Sequence, residues 1–408
     1  MNRKIKAGEK GQHMENKQSK ALSFTIATVA LVQMSHGGIT PALAEIGRSF
    51  PNVSDLMLSL LNVLPVLLCV PAAFVAGRVL GKKVTYRTFL LVGLGLLLCG
   101  GLAAFFCNNI IEVLVMRAVF GVGLGMVVPA ISDVTMAVFS DVRAKKQLAL
   151  NTVTANFGSI IFQLLGGYLC MVHWRYAFLG YLLVLLPIVV VLLFMKKDDG
   201  MLQVQESSRQ NAPKQRLNIH QTIKWCIVSF AYYVAFYVFV NNMSSLIVNG
   251  NLGTSGDVGL VLSVFGLGGM LGGLLYRKVL YRLNVAALIP AMLLCILGYI
   301  CTMTANSLAM LYIAAVLFGG GFGIVPPAAM YCGVTSVGEA HRSEIISYMT
   351  IANNIGGFVS AFLMALLVEM LHLTVSRSHF LIGILIFSAL AIFFVLQSFI
   401  DKKQKTVQ

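Results

Sequence analysis

The sequence has few charged residues, and among these it has few acids. Only 11% of its 408 residues are charged, and Asp and Glu together number 15 against 30 Lys and Arg. A chain that is 58% hydrophobic, with a mean hydropathy of +0.84, has too little polar surface to cover a soluble globule of this length. The composition therefore excludes a water-soluble domain and indicates an integral membrane protein.

Motifs of enzymes and metal sites are also missing from the sequence. H-E-x-x-H and G-x-S-x-G do not occur, and no pair of acids lies at the centre of an apolar stretch. The eight cysteines lie inside or at the ends of apolar stretches, without the spacing of metal ligands. We therefore expect no metal, no cofactor and no enzymatic activity, and keep a membrane-embedded enzyme as the alternative from another class.

Long apolar stretches fill most of the chain, and each is long enough to cross a hydrocarbon core of ~30 Å as a helix. They predict an all-α membrane protein with twelve transmembrane helices. The predicted helices cover residues 21–45, 55–77, 86–107, 111–133, 146–170, 175–195, 221–247, 257–277, 285–305, 308–332, 345–370 and 380–400.

The positive charges are distributed unevenly between the loops. If the first 20 residues are cytoplasmic, only Arg48, Arg175 and Arg377 fall on the opposite side, and Arg117 lies within a helix. Such asymmetry is typical of proteins in a cytoplasmic membrane, with the basic loops inside. It predicts that both termini are cytoplasmic and that the partner of the +15 net charge is the lipid bilayer, not a nucleic acid.

The chain contains an internal repeat. Residues 120–169 align without a gap with residues 318–367, so that Gly121, Pro129 and Asn156 recur as Gly319, Pro327 and Asn354. The repeat predicts two parallel six-helix bundles. We expect the order to be an N-terminal tail, a bundle, a polar linker, a second bundle and a C-terminal tail, at 1–20, 21–195, 196–220, 221–400 and 401–408. Because two such halves enclose a site without a partner chain, we expect a monomer.

Two segments carry a resemblance to a known family. Arg117 followed by Gly121, Gly123, Gly125 and Pro129 resembles the helix-4 signature of the major facilitator superfamily, and its drug/proton antiporters in particular. Arg78-Val-Leu-Gly81-Lys82-Lys83 resembles the loop between helices 2 and 3 of that superfamily. The loop is degenerate, because Arg78 stands where the family usually has Asp. The helix-5 motif is degenerate too, with Phe162 and Gln163 in place of Gly-Pro.

The resemblance implies the major facilitator fold and a secondary transporter that works by alternating access around a site near the middle of the membrane. It also implies that residues of the helix 2–3 loop gate the movement of the two halves, with Asp133 as a substitute for the missing acid. The gating candidates are Gly77, Arg78, Lys82, Lys83 and Asp133.

Charged and titratable residues inside apolar helices are the candidates for proton coupling. A charge at a helix centre costs about 2.5–3.5 kcal/mol on insertion scales, so Arg117 requires a reason to be there. A packing role, in which Arg117 pairs with Glu112 or with backbone carbonyls, is the alternative. His36 changes charge near neutral pH when it faces water. The coupling candidates are therefore Arg117, His36 and Glu112, with the proton as the coupling ion.

Uncharged polar residues form stripes along several predicted helices. Such stripes face a cavity or another helix, because facing lipid would be costly. On helix 7 the stripe is flanked by aromatic residues, which is typical of a pocket for an amphipathic molecule. The candidates for substrate binding are Gln33, Asn62, Asn156, Gln163, Tyr233, Tyr237, Asn241 and Asn354.

These features together predict a proton-coupled transporter of a small organic solute. Because no acid lies at a helix centre, the cavity suits neutral or anionic solutes better than cations. We favour efflux of lipophilic compounds. The alternative within the same class is a symporter for uptake of an organic anion, such as a carboxylate or a bile-acid-like molecule.

Overall fold

The computed structural model describes residues 20–80, 84–139, 141–195, 218–278, 285–337, 341–370 and 379–407. Within them, twelve helices are long and apolar enough to cross a membrane. We name these α1 to α12: Lys20–Ser49, Asp55–Ala76, Tyr86–Phe106, Ile110–Val138, Lys146–Cys170, Trp174–Phe194, Ile219–Asn249, Ser255–Lys278, Val285–Thr304, Leu308–Val337, Glu344–Leu367 and His379–Ser398.

The predicted all-α fold with twelve spans is confirmed. The helix ends differ from the predicted ones by at most five residues, as in α4, which was predicted to end at 133 and ends at Val138. Several helices continue beyond the apolar segment, and their full bounds are Asp55–Val79, Asp141–Cys170, Arg342–Met370 and His379–Val407. All but the last residue of the predicted N-terminal tail and all but the last three residues of the predicted linker lie outside the described residues.

Several of the spans are not regular α-helices throughout, and α1, α6 and α7 have the longest such segments. The middle of α1 is a 3-10 helix over Ser35–Ala42, where Gly37 and Gly38 weaken the helix and Pro41 removes a backbone donor. The first part of α6 is a 3-10 helix over Trp174–Val184, and α7 ends in a π-turn over Ser245–Asn249. Such breaks leave backbone carbonyls without their usual intrahelical donors.

The glycines of the repeat pack in the same way in both halves. Three glycines of α4 lie so close to α2 and α3 that a methyl group would clash, and their counterparts in α10 lie in the same way against α8 and α9. They are Gly121, Gly123 and Gly125, and Gly319, Gly321 and Gly323. Small residues allow this close approach between helices in lipid. The sequence repeat is thus a repeat of helix packing.

Each half has its own apolar core. One cluster of buried side chains lies wholly within the first six helices. The other is centred on the last six, but Ala44, Val63 and Val66 of the first half also belong to it. The two bundles therefore share a packed seam, to which α1 and α2 contribute.

The seam is bonded at one end of the bundle. We call the end with Lys20, Arg78, Lys146 and Lys278 the basic end, and the opposite end the far end. At the far end, the Ser244 hydroxyl donates to the Pro41 carbonyl at 2.9 Å and accepts from the Ala44 amide at 3.0 Å. Six hydrogen bonds between described residues join the two halves in the far half of the bundle.

Candidate functional site

Arg117 lies at the centre of the first half and is fully buried, with 0% of its surface exposed. Its Nε donates to the Leu61 carbonyl at 2.8 Å, its Nη2 to the His36 carbonyl at 2.7 Å, and its Nη1 to the Tyr181 hydroxyl at 3.0 Å. The Tyr181 hydroxyl donates in turn to the Ser35 carbonyl at 3.2 Å. One side chain thereby links α4 to α1, α2 and α6.

The local sequence explains why these carbonyls are available to Arg117. The Leu61 carbonyl would accept from residue 65 in a regular helix, but residue 65 is Pro and has no N–H. Ser35 and His36 lie where α1 changes to a 3-10 helix. Buried carbonyls without donors are costly in a membrane. Arg117 and Tyr181 supply the missing donors.

No acid neutralises Arg117 within the part of the chain that the structure describes. Glu112, five residues earlier, completes a capping box at the start of α4, where its carboxylate accepts from the Asn109 amide at 3.4 Å and also from the Asn108 amide at 3.0 Å. The guanidinium instead lies over the Phe120 ring, 4.7 Å from its centroid. The packing alternative named two kinds of partner for Arg117, Glu112 and backbone carbonyls. The guanidinium bonds to the carbonyls and not to Glu112.

His36 is half-buried beside Arg117, and its Nδ1 atom is buried without a hydrogen-bond partner among the described residues. Gln33 is half-buried one turn earlier on α1. The coupling roles of His36, Arg117 and Glu112 stay predictions. The geometry shows that His36 and Arg117 are in direct contact through the His36 backbone.

The polar stripes of α5 and α11 become less exposed towards the far end. Thr152 and Thr350 are exposed, and each hydroxyl donates to a carbonyl of its own helix. Asn156, Gln163 and Asn354 are half-buried. Gln163 Nε2 donates to the Ser159 hydroxyl at 3.3 Å. This gradient is what a cavity that opens at the basic end would produce.

At the far end of α7, the polar face bonds the second half to the first. Asn241 accepts from the Nδ2 of Asn62 on α2 at 2.9 Å, so these two predicted substrate residues bond to each other across the halves. The Oδ1 of Asn62 is buried without a partner among the described residues. Tyr237 is 5% exposed and fits against Gly357 of α11.

A cavity of about 290 Å³ lies between α7, α10 and α11 in the second half. Its polar lining comes from Ser229, Tyr232, Tyr233 and Asn353, and the remaining walls are apolar, with Pro326 and Pro327 among them. Tyr233 was predicted from the sequence, but Asn353 lines the cavity instead of its neighbour Asn354. The cavity lies in the basic half of these three helices.

The predicted gating residues are only partly described. Gly77 and Arg78 belong to the continuation of α2, and Arg78 is exposed. Lys82 and Lys83 lie outside the described residues. Asp133 is exposed near the basic end of α4, close to Tyr86, and takes part in a further interaction. The gating roles stay predictions.

A family model described as Major Facilitator Superfamily matches residues 25–361. The chain belongs to this superfamily of transporters. The matched range contains the whole first repeat, the second repeat up to residue 361 and all residues around Arg117, so the family resemblance is confirmed. Nothing among curated proteins matches the sequence.

Solved structures of other major facilitators share the fold. A mutant of the nucleoside transporter NupG has a TM-score of 0.75 at 12% identity, over 92% of this chain and 99% of that one. A bacterial homolog to the human lysosomal transporter Spinster has a TM-score of 0.68 at 14% identity, over 93% and 97%. A mutant of the peptide transporter POT in complex with alafosfalin has 0.73 at 12%, over 93% and 94%. At these identities the likeness shows the fold alone.

Sequence reasoning missed two residues of this major facilitator. Tyr181 lies 64 positions from Arg117, and nothing near it in the sequence marks it as a partner. Asn353 was passed over for Asn354, which aligns with Asn156 in the repeat. The side chains of adjacent residues point about 100° apart on a helix, so the choice between them requires the helix orientation.

Proposed function

We propose that the protein is a secondary active transporter that moves a small organic solute by alternating access, with protons as the coupling ion. The observation that supports this proposal is that the seam between the two equivalent bundles differs at its two ends. Ser244, Arg48 and Ser255 join the halves at the far end, whereas the polar stripes of α5 and α11 are more exposed towards the basic end. This is the arrangement of one of two alternating states.

The distribution of charge assigns a direction to this state. If the basic end is cytoplasmic, as the positive-inside pattern predicts, the cavity is open to the cytoplasm and closed to the outside. We propose efflux of lipophilic compounds from a cytoplasmic membrane as the direction of transport. A lipophilic molecule partitions into the membrane, and the apolar walls beside α7 and α10 suit such a molecule.

The contact between His36 and Arg117 offers a mechanism for coupling. A proton on His36 would place a second positive charge beside Arg117 in a medium of low dielectric constant. Repulsion between the two charges would favour a state in which α1 and α4 move apart. We propose that proton binding at His36 thereby shifts the equilibrium between the two states. Glu112 stays a candidate acid at the far end of α4.

Uptake of an organic anion ranks second. Its cationic contact would be Arg117, but the three donor nitrogens of Arg117 already bond to protein oxygens. An anion would have to displace these bonds. For this reason we favour efflux of a molecule that does not need the guanidinium.

Two successive measurements test the proposed function. First, metabolites inside and outside cells are compared with and without the protein, and the compound whose distribution changes is taken forward. Second, its uphill flux is measured in proteoliposomes under an imposed pH gradient. We expect flux that requires the gradient. Chemical conversion of the compound without a gradient would contradict the proposal and favour an enzyme.

The coupling mechanism has its own variant. His36→Gln keeps a neutral polar side chain but does not titrate, so we expect at least a tenfold loss of gradient-driven flux with gradient-independent exchange retained. His173→Gln is the matched control, because His173 is exposed in a loop at the far end. Equal gradient-driven flux in both variants would remove His36 from the mechanism.

A further inference from the structure

We infer that the cavity between α7, α10 and α11 binds an uncharged amphipathic molecule that carries hydrogen-bond donors, and that Asn353 is a residue that selects it. This inference deepens the proposed function and rests on it, because it assigns the substrate class. It narrows the sequence-based expectation of neutral or anionic solutes to neutral ones. Of the predicted substrate-binding residues it keeps Tyr233 of α7 and leaves out the α5 stripe.

The cavity has the size and composition of a binding site for part or all of a small molecule. Its volume of about 290 Å³ is at the lower end of the ~300–1,000 Å³ of ligand pockets. Ring contacts continue behind the lining, since the Tyr233 ring is 5.7 Å from the Phe236 ring, which stacks on Phe322 at 4.7 Å. Met330 and Met349 add adaptable walls.

The lining argues against a charged ligand. It consists of Val, Ala, Pro, Met, Ser, Tyr and Asn, and none of these carries a charge at neutral pH. A charge brought into such a site would lose its hydration without gaining a partner of opposite charge. Each nitrogen of Arg117, the buried cation of the first half, donates to a protein oxygen. An anion therefore finds no counter-charge in the lining.

Unused acceptors at the cavity argue for a ligand with donors. The Oδ1 of Asn353 is buried and has no hydrogen-bond partner among the described residues. In α10, Pro326 has no N–H, so the Phe322 carbonyl one turn earlier lacks its intrahelical donor. Helix geometry directs that carbonyl towards Pro326, which lines the cavity. A hydroxyl or N–H group of a ligand would satisfy these acceptors, and a ligand hydroxyl would also pair with the Tyr232 hydroxyl, which lines the cavity and is buried without a hydrogen-bond partner among the described residues.

The second half alone has this extra carbonyl. In the repeat alignment Pro327 corresponds to Pro129, whereas Pro326 corresponds to Val128, which keeps its N–H. The free Phe322 carbonyl is thus a property of the α10 sequence and not of the shared fold. This asymmetry places the specificity of the protein in its second half.

A matched set of indole compounds tests the inference by binding to the purified full chain in lipid nanodiscs. The probes are indole-3-ethanol (neutral, two donors), its N-methyl methyl ether (neutral, no donor), indole-3-acetate (anion) and tryptamine (cation). Equilibrium dialysis measures each dissociation constant. We expect the neutral donor compound to bind at least tenfold tighter than either ion and five- to thirtyfold tighter than the ether, the cost of leaving acceptors unsatisfied. Failure of indole-3-ethanol to bind, or equal binding of the anion, would overturn the inference.

Variants then locate the binding. Asn353→Leu should reduce the affinity for indole-3-ethanol at least fivefold and leave that for the ether unchanged. Ala329→Phe should abolish binding of both by filling the cavity, since Ala329 lines it. Ser360→Ala is the matched control, because it removes another buried and unpartnered polar atom from α11 away from the cavity. Thermal unfolding of each variant shows that it is folded, and unchanged affinity in folded Asn353→Leu would overturn the role of Asn353.

The outcome separates this inference from the proposed function. Binding that follows the predicted order, without gradient-driven flux of any compound, would refute transport and keep the cavity assignment. Gradient-driven flux of an organic anion that is insensitive to Ala329→Phe would support transport and refute the cavity assignment.

Discussion

The two halves repeat one packing pattern but differ at their centres. In the first half, Arg117 and Tyr181 hold three neighbouring helices through backbone carbonyls. In the second half, Ala315 replaces Arg117, and Tyr299 packs edge-on against Phe318 at 5.0 Å among further aromatic rings. The first centre is polar and bonded, whereas the second is apolar and leaves a cavity beside it. One fold thus carries a half whose centre is joined by hydrogen bonds and a half with room for a ligand.

The tyrosines show how the difference arose on equivalent helices. Tyr181 of α6 lies against Gly101 of α3, whereas in the second half Tyr299 of α9 lies against Gly383 of α12. Tyr299 follows Gly101 by as many positions as Gly319 follows Gly121, so the same place on equivalent helices holds a glycine in the first half and a ring in the second. Each hydroxyl donates to a carbonyl of the first helix of its half, Ser35 for Tyr181 and Ala235 for Tyr299. The hydrogen bond is kept, although the residue that makes it differs.

The largest effect should come from breaking the polar centre. Arg117→Met leaves the Leu61 and His36 carbonyls and the Tyr181 hydroxyl without their donor, so we expect a loss of about 3–5 kcal/mol of unfolding free energy. Arg117→Lys should recover part of this loss, because Lys keeps the charge but cannot reach three helices at once. Thermal or denaturant unfolding in detergent measures both. Stability within about 0.5 kcal/mol of wild type in Arg117→Met would contradict the structural role.

The glycines that contact the two tyrosine rings, Gly101 and Gly383, give a second test of the comparison between the halves. A Cβ at Gly101 would lie 2.6 Å from the Tyr181 ring, and one at Gly383 would lie 2.6 Å from the Tyr299 ring. We expect Gly101→Ala and Gly383→Ala each to cost about 1–3 kcal/mol, with the larger loss for Gly101→Ala because a displaced Tyr181 also leaves Arg117. Gly95→Ala is the control, since open space surrounds Gly95 and Ala favours the helix. Equal stability of all three variants would refute the tight fit.

Removing each tyrosine hydroxyl should have a smaller effect. Tyr181→Phe removes one partner of Arg117 and the donor to Ser35, so we expect a loss of about 1.5–3 kcal/mol. Tyr299→Phe removes one neutral hydrogen bond to Ala235, for which we expect about 1 kcal/mol. Unfolding midpoints of the two variants give the comparison directly. A larger loss for Tyr299→Phe would reverse the assignment of polar and apolar centres.

The smallest effect should appear at the seam. Ser244→Ala removes the bonds to Pro41 and Ala44, which hold α7 to α1 at the far end. We expect about 1 kcal/mol less stabilisation of the closed far end, equivalent to about a fivefold shift in population. Spin-label distances across the far end measure that population. Thr304→Ala, which removes a hydroxyl bonded within its own helix, should leave it unchanged.

The sequence was sufficient for the architecture but not for the partners within it. Hydrophobic length and charge placement predicted the twelve helices, because a membrane imposes both on the chain. Arg117 was recognised because its charge is costly in lipid. Tyr181 and the choice of Asn353 over Asn354 were missed, because helix rotation and contacts between distant helices decide them. The free Leu61 carbonyl, in contrast, follows from Pro65 and could have been predicted.

The central claim is that two equivalent bundles alternate between a state open at one end and a state open at the other, and pairs of spin labels test it most directly. On a background without the eight native cysteines, one pair is placed at Ser49 and Ser307 at the far end, and another at Lys146 and Lys278 at the basic end. These four residues are exposed. When the proton concentration is raised in nanodiscs, we predict that the far-end distance lengthens while the basic-end distance shortens. Distances that both stay constant, or that both change in the same direction, would contradict alternating access.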